Sequence, residues 1–192
     1  MASSISPLLA AGMGAMGASS AGAMGSSAPL ATDAPKAPAR LTDAEIGAVM
    51  DAANNGEIEE AKVAQKSGQN AGVKSFATMM VTHHTEARDK QAKLFSKLAL
   101  SPTENAKSRD VKAEGQKNLD TIKTLKGADF DRAYIDAQVK EHTAVLKSLD
   151  EDILPVVQSA EYKTLLQDVR GKVEQHLKAA QDLQTKLGKT GG

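Results

Sequence analysis

The chain has 192 residues, with Lys+Arg 24 against Asp+Glu 24 and a formal net charge of +0, so it offers no broad basic field for nucleic acid and no acidic solvating tail. Cys 0 excludes disulfides, thiolate catalysis and cysteine-ligated zinc. Aromatic residues make up 3%, with Trp 0; Ala, Leu, Val, Ile and Met must therefore fill the core, a mixture that favours closely approaching helices over a sheet.

Residues 1 to 40 are low in complexity: Ala, Gly, Ser and Met dominate as far as Ala28, and Pro29, Pro35 and Pro38 follow. Such side chains bury too little apolar area to offset backbone ordering, so a disordered segment is expected. It reads either as a secretory leader or as a plain flexible tail. Leu8-Leu9-Ala10-Ala11 would open the leader's apolar stretch, and Ala21-Gly22-Ala23 or Ser26-Ser27-Ala28 would be cleaved. The first basic residue is Lys36, so a positively charged start is missing. No later apolar run approaches the roughly 20 residues of a membrane-spanning helix.

A folded domain is expected over residues 41 to 188, with a flexible end over 189–192. Helix 1 is announced by Thr42 and Glu45, a capping box, and Ile46, Met50, Ala53, Glu57, Glu60, Ala61 and Ala64 follow at spacings of three and four. Asn54-Asn55-Gly56 interrupts it with poor helix formers, and a short kink or bulge there would be unsurprising. Ser67-Gly68-Gln69-Asn70 is a turn short enough to return helix 2 antiparallel beside helix 1. Helix 2 spans about Gly72 to Leu98, with Val73, Ala77, Met80, His84, Gln91, Leu94 and Leu98 on one stripe. The connection over 101 to 127 carries a lesser helix from Arg109 to Leu125 that Gly127 should stop. Helix 3 starts near Asp129 and carries Phe130, Tyr134, Gln138, His142, Val145, Leu149 and Ile153, with Pro155 closing it. Helix 4 carries Tyr162, Leu166, Val169, Val173, His176, Leu177, Ala180, Leu183 and Leu187 before Gly188. No strand pattern competes, so the expected fold is all-α: an antiparallel four-helix bundle with a long helix 2 to helix 3 crossover.

Four polar residues, Glu57, His84, His142 and His176, occupy apolar stripes. Glu57 lies 12 residues before Gln69 and His84 lies 15 after it; His142 lies 15 before Val157 and His176 lies 19 after it. At about 1.5 Å of rise per residue, all four share one level near mid-height. Three imidazoles and a carboxylate suit one divalent ion, namely zinc, iron, manganese or copper. The same coplanarity suits a structural polar layer in which Glu57 hydrogen-bonds His84 or His142, because buried polar groups must be partnered in either case. Glu60 and Glu141 read as extra ligands or as acceptors that fix an imidazole's tautomer, and His83 reads as rim or surface. Carboxylate-bridged di-iron bundles place Glu three residues before His, but Val81, Val139 and Val173 stand there instead. No nucleophile pattern or phosphate loop stands out, so a non-enzymatic protein is expected.

Glu57-Ile-Glu-Glu-Ala-Lys-Val-Ala64, Val73-Lys-Ser-Phe-Ala-Thr-Met-Met-Val-Thr-His-His-Thr-Glu-Ala87, Gly127-Ala-Asp-Phe-Asp-Arg-Ala-Tyr134 with His142, and Glu174-Gln-His-Leu-Lys-Ala-Ala180 together resemble the bacterial ferritin-like family called domain of unknown function 4142. The resemblance covers roughly residues 41 to 187. It implies a ferritin-like bundle and a periplasmic or secreted location, and it matches Glu57, His84, His142 and His176 to recurring acidic and histidine positions. His83 replaces the Asp that usually precedes the helix 2 histidine. No activity comes with the resemblance. Two functional readings follow: an exported metal-binding bundle, or an envelope interaction or stress-protection module whose Glu/His layer is structural.

Overall fold

A computed structural model describes residues 40–189, and the regular structure among them is entirely helical. In chain order the elements are α1 (Asp43–Ser67), α2 (Ala71–Lys97), α3 (Ala106–Lys123), α4 (Gly127–Ser148) and α5 (Ala160–Lys189). A single π-helical turn, Leu149–Ile153, continues α4. The expected leader or tail lies outside the described residues except for Arg40. So does the expected flexible end except for Lys189, which is the last residue of α5. No helix among the described residues is long and apolar enough to cross a membrane.

The helix starts follow their capping chemistry. Thr42 Oγ1 accepts from the Glu45 amide at 3.3 Å while Glu45 Oε2 accepts from the Thr42 amide at 2.9 Å, satisfying two donors that the helix leaves free. Asn70 Oδ1 caps α2 by accepting from Gly72 and Val73 amides.

Three expectations need correction. Asn54-Asn55-Gly56 does not interrupt α1, which runs helical through it. A side chain on Gly115 would place its Cβ 3.7 Å from Gly56 Cα, so the two glycines let α1 and α3 backbones approach closely. The crossover helix begins at Ala106 rather than Arg109. Asn105 caps it through the Ser108 amide at 3.0 Å and also donates to the Glu45 carbonyl at 2.9 Å, tying that cap to α1. Gly127 does not stop this helix, which ends at Lys123. At φ +64, a conformation that favours glycine, it opens α4 two residues before the expected start.

α1 packs on α2, α2 on α5, α5 on α4 and α4 on α1, while α3 lies against α1 and α4. The buried apolar side chains form two separate clusters. One joins Ala61, Val73, Phe76, Met80, Phe130 and Tyr134 near the 68–70 turn. The other joins Ile46, Met50, Phe95, Leu149, Tyr162 and Leu166 at the far end. Between them, in sequence on every one of these helices except α3, come the buried polar residues Asn54, Glu57, His84, Gln138, His142 and His176.

Two buried aspartates fasten the turns. Asp131 on α4 accepts from the Gln69 and Asn70 amides at 3.1 and 2.8 Å, and Asp43 on α1 accepts from the Gln158 and Ser159 amides, both at 2.8 Å. Asp131→Ala would strand two amides beside a helix start. It is expected to cost about 1.5–3 kcal/mol, the range for a hydrogen bond to a charged acceptor, read as a lower urea midpoint at unchanged m value.

Candidate metal centre

Each histidine of the polar layer reaches the centre because its helix buries the stripe it sits on. His84 comes from α2, His142 from α4 and His176 from α5, and all three are buried. Their ring centroids stand 5.3 to 5.9 Å apart, and one nitrogen from each lies within 4.8 Å of the other two. These three buried histidines can hold a metal ion.

Bonds to oxygen acceptors decide which nitrogens of His142 and His84 are free. His142 Nδ1 lies 3.0 Å from the Gln138 carbonyl oxygen, which can only accept, so the hydrogen is on Nδ1 and Nε2 carries a lone pair. His84 Nδ1 lies 2.9 Å from Asn54 Oδ1, and donating there leaves His84 Nε2 bare as well. His176 Nε2 lies 2.8 Å from His83 Nδ1, with the two rings stacked at 5.1 Å. With the shared hydrogen on His176 Nε2, its Nδ1 is the third bare nitrogen. His84 Nε2, His142 Nε2 and His176 Nδ1 are buried and have no hydrogen-bond partner among the described residues.

Burial, and then the neighbouring imidazoles, holds His84 well below the ordinary histidine range. Burial pushes His142 down to about 4, and burial followed by the charges of His142 and His83 pushes His176 down to about 3. At neutral pH all three rings are therefore uncharged, the state in which imidazole binds metal.

Glu57 stands behind His142, outside the convergence. Its Oε1 is 3.5 Å from His142 Nδ1 and its Oε2 accepts from Gln138 Nε2 at 2.8 Å. Burial raises its carboxyl to about 7, so with His142 neutral the approach is not an ion pair. Glu60 and Glu141 join Glu57 on the α1–α4 side rather than at the histidines. Gln138 Nε2 also donates to Glu141 Oε2 at 3.3 Å, and Asn118 donates to Glu141 Oε1. Burial together with neighbouring carboxylates lifts both Glu60 and Glu141 well above the carboxylate range. His83, expected at the rim, is partly buried and holds His176 through its ring nitrogen. Asn54 and Gln138 carried no sequence signal for a role at the site; the first looked like a helix breaker and the second like one more stripe residue.

A family model described as Domain of unknown function (DUF4142) matches residues 28–183. No curated protein and no solved structure matches the chain.

Proposed function

The chain belongs to the family described as Domain of unknown function (DUF4142), and from that premise we propose an exported, non-enzymatic protein whose α1, α2, α4 and α5 form a ferritin-like four-helix bundle binding one divalent transition-metal ion. His84, His142 and His176 are the ligands. The Gln138 carbonyl orients His142, Asn54 orients His84, and His83 orients His176, in the manner of the outer partners that fix tautomer and ring angle at metal sites.

One observation carries this reading: three buried imidazoles converge, one nitrogen of each lying within 4.8 Å of the others, and each ring keeps a buried nitrogen with no hydrogen-bond partner among the described residues. Leaving a buried acceptor unpaired costs about 1–3 kcal/mol each, and one ion would satisfy all three at once. In a tetrahedral site with bonds of about 2.0–2.1 Å the donor atoms stand about 3.3 Å apart, so modest ring shifts close the triad. An all-imidazole set suits zinc, copper or iron better than manganese, which prefers oxygen.

The test is thermal. Purified protein stripped of metal should melt at a higher temperature with zinc than without, because a ligand that binds only the folded state stabilises it. Identical melting curves with zinc, copper, iron and manganese, together with no metal by elemental analysis, would leave the structural-layer reading. The bonds that His84 donates to Asn54 and His142 donates to the Gln138 carbonyl favour that reading, since they hold the rings without an ion. Export rests on the leader composition and the family resemblance. It predicts a periplasmic or secreted product shortened near Ala23 or Ala28, and mass spectrometry of the native protein that finds an intact amino terminus in the cytosol would refute it.

A further inference from the structure

We infer that the three-histidine centre leaves one coordination position to an exchangeable small monoanion, which enters through the cleft between α2 and α5. The inference rests on the metal-binding reading above and adds the ligand class and its route.

The cleft has a volume of about 240 Å³ and ends on His84, His176, His83 and Asn54, so two of the three candidate ligands form its inner wall. His142 does not line it and lies on the far side of the triad. The volume falls below the roughly 300 Å³ at which pockets for drug-sized ligands begin, so the occupant is small.

The donor count leaves a position open. Zinc, and cobalt substituted for it, take four ligands when tetrahedral, and the convergent group of histidine, aspartate and glutamate atoms among the described residues has three members. His83 is the nearest further imidazole on the cleft side, and its Nδ1 is committed to His176 at 2.8 Å. Three protein donors plus one exchangeable ligand is the arrangement of an open site rather than a sealed structural one.

Charge selects the fourth ligand. A divalent ion on three neutral imidazoles keeps its full double charge in a buried setting, where uncompensated charge is costly. A dication at the triad would favour the ionised form of Glu57, whose Oε1 lies 3.5 Å from His142 Nδ1, and that carboxylate would offset one unit. The remaining unit favours a monoanion over a neutral molecule or a dianion. The lining adds no net preference, because its two lysines, Lys90 and Lys172, are matched in number by Glu86 and Asp168. Leu165, Val169 and Val173 make the walls apolar, which suits a compact inorganic anion or a short-chain monocarboxylate.

The full chain loaded with cobalt(II) gives the test, since its visible absorption reports coordination directly. Titration with azide should shift the absorption saturably at one azide per cobalt, and acetate should compete. Ala87→Phe, which fills the cleft from α2, should keep the cobalt and lose most of the azide response; Val169→Phe does the same from α5 if the first variant does not fold. Cobalt that binds but ignores saturating azide would overturn the open position while leaving the metal site intact. An undiminished azide response in the folded plug variants would overturn the route. Failure of cobalt to bind would remove the metal reading itself, and this inference with it.

Discussion

Replacing His142 by alanine is expected to abolish the metal-dependent rise in melting temperature while the metal-free variant still unfolds cooperatively. The wild-type protein at a metal concentration about 1,000 times its dissociation constant gains about 4 kcal/mol, which at about 2–4 °C per kcal/mol is a rise on the order of 10 °C. In the proposed site His142 gives one of the three donors, so its loss leaves two and a cavity where the ring was. Comparing each variant with and without metal cancels any cost of the cavity. Asn54→Ala, which keeps all three ligands but frees His84 to rotate, should weaken affinity by only about 10–100-fold, the range for outer partners of metal ligands. Equal losses in the two variants would mean that the effect runs through packing rather than coordination.

Much of this centre could be read from the chain because helical geometry converts residue number into height and direction. Counting from the two turns places His84, His142 and His176 at one level, and the structure brings the three rings together. The same reasoning places Glu57 on the stripe, but it cannot say on which side of His142 the carboxylate stands, since that depends on how α1 and α4 are rotated against each other. His83 escaped for a related reason. A helical wheel knows only its own helix, and the residue that holds His83 lies 93 positions away on α5. Asn54 was hidden by its own propensity. Asparagine and glycine weaken a helix in isolation, yet here Asn54 meets His84 and Gly56 makes room for α3, contacts that lie outside the propensity scale. The π-helical turn at Leu149–Ile153 left no mark in the pattern, because Leu149 and Ile153 are four apart in either winding and both are buried.

Metal-free protein is expected to be most stable at mildly acidic pH and to lose stability on both sides, with Glu60→Gln removing part of the alkaline loss. The three buried histidines have folded values below the usual figure of about 6.5. Where the unfolded chain binds protons that the folded one refuses, stability falls as pH drops, so the acid arm runs from about 6.5 down through about 4. The carboxyls behave oppositely. Glu57, Glu60 and Glu141 have folded values raised above the usual figure of about 4.3, so the folded state holds protons that the unfolded chain has released. Their contribution is fully present below about 4.3 and is lost as pH climbs, through about 7 for Glu57 and higher for the other two. Each proton is worth about 1.4 kcal/mol per pH unit over its window, so the three rising and three falling terms offset one another between about 4.3 and 6.5. Above that range only the carboxyls remain, and the curve descends. Glutamine at position 60 imitates the protonated acid, which burial and the charges of Glu141 and Glu57 already favour. The variant should therefore gain a few kcal/mol at pH 8 and close to nothing at pH 4, where the unfolded wild-type carboxyl is itself largely protonated. Chemical denaturation at the two pH values measures the difference, and an equal gain at both would mean that glutamine repacks the site instead of removing the cost of keeping a buried acid protonated.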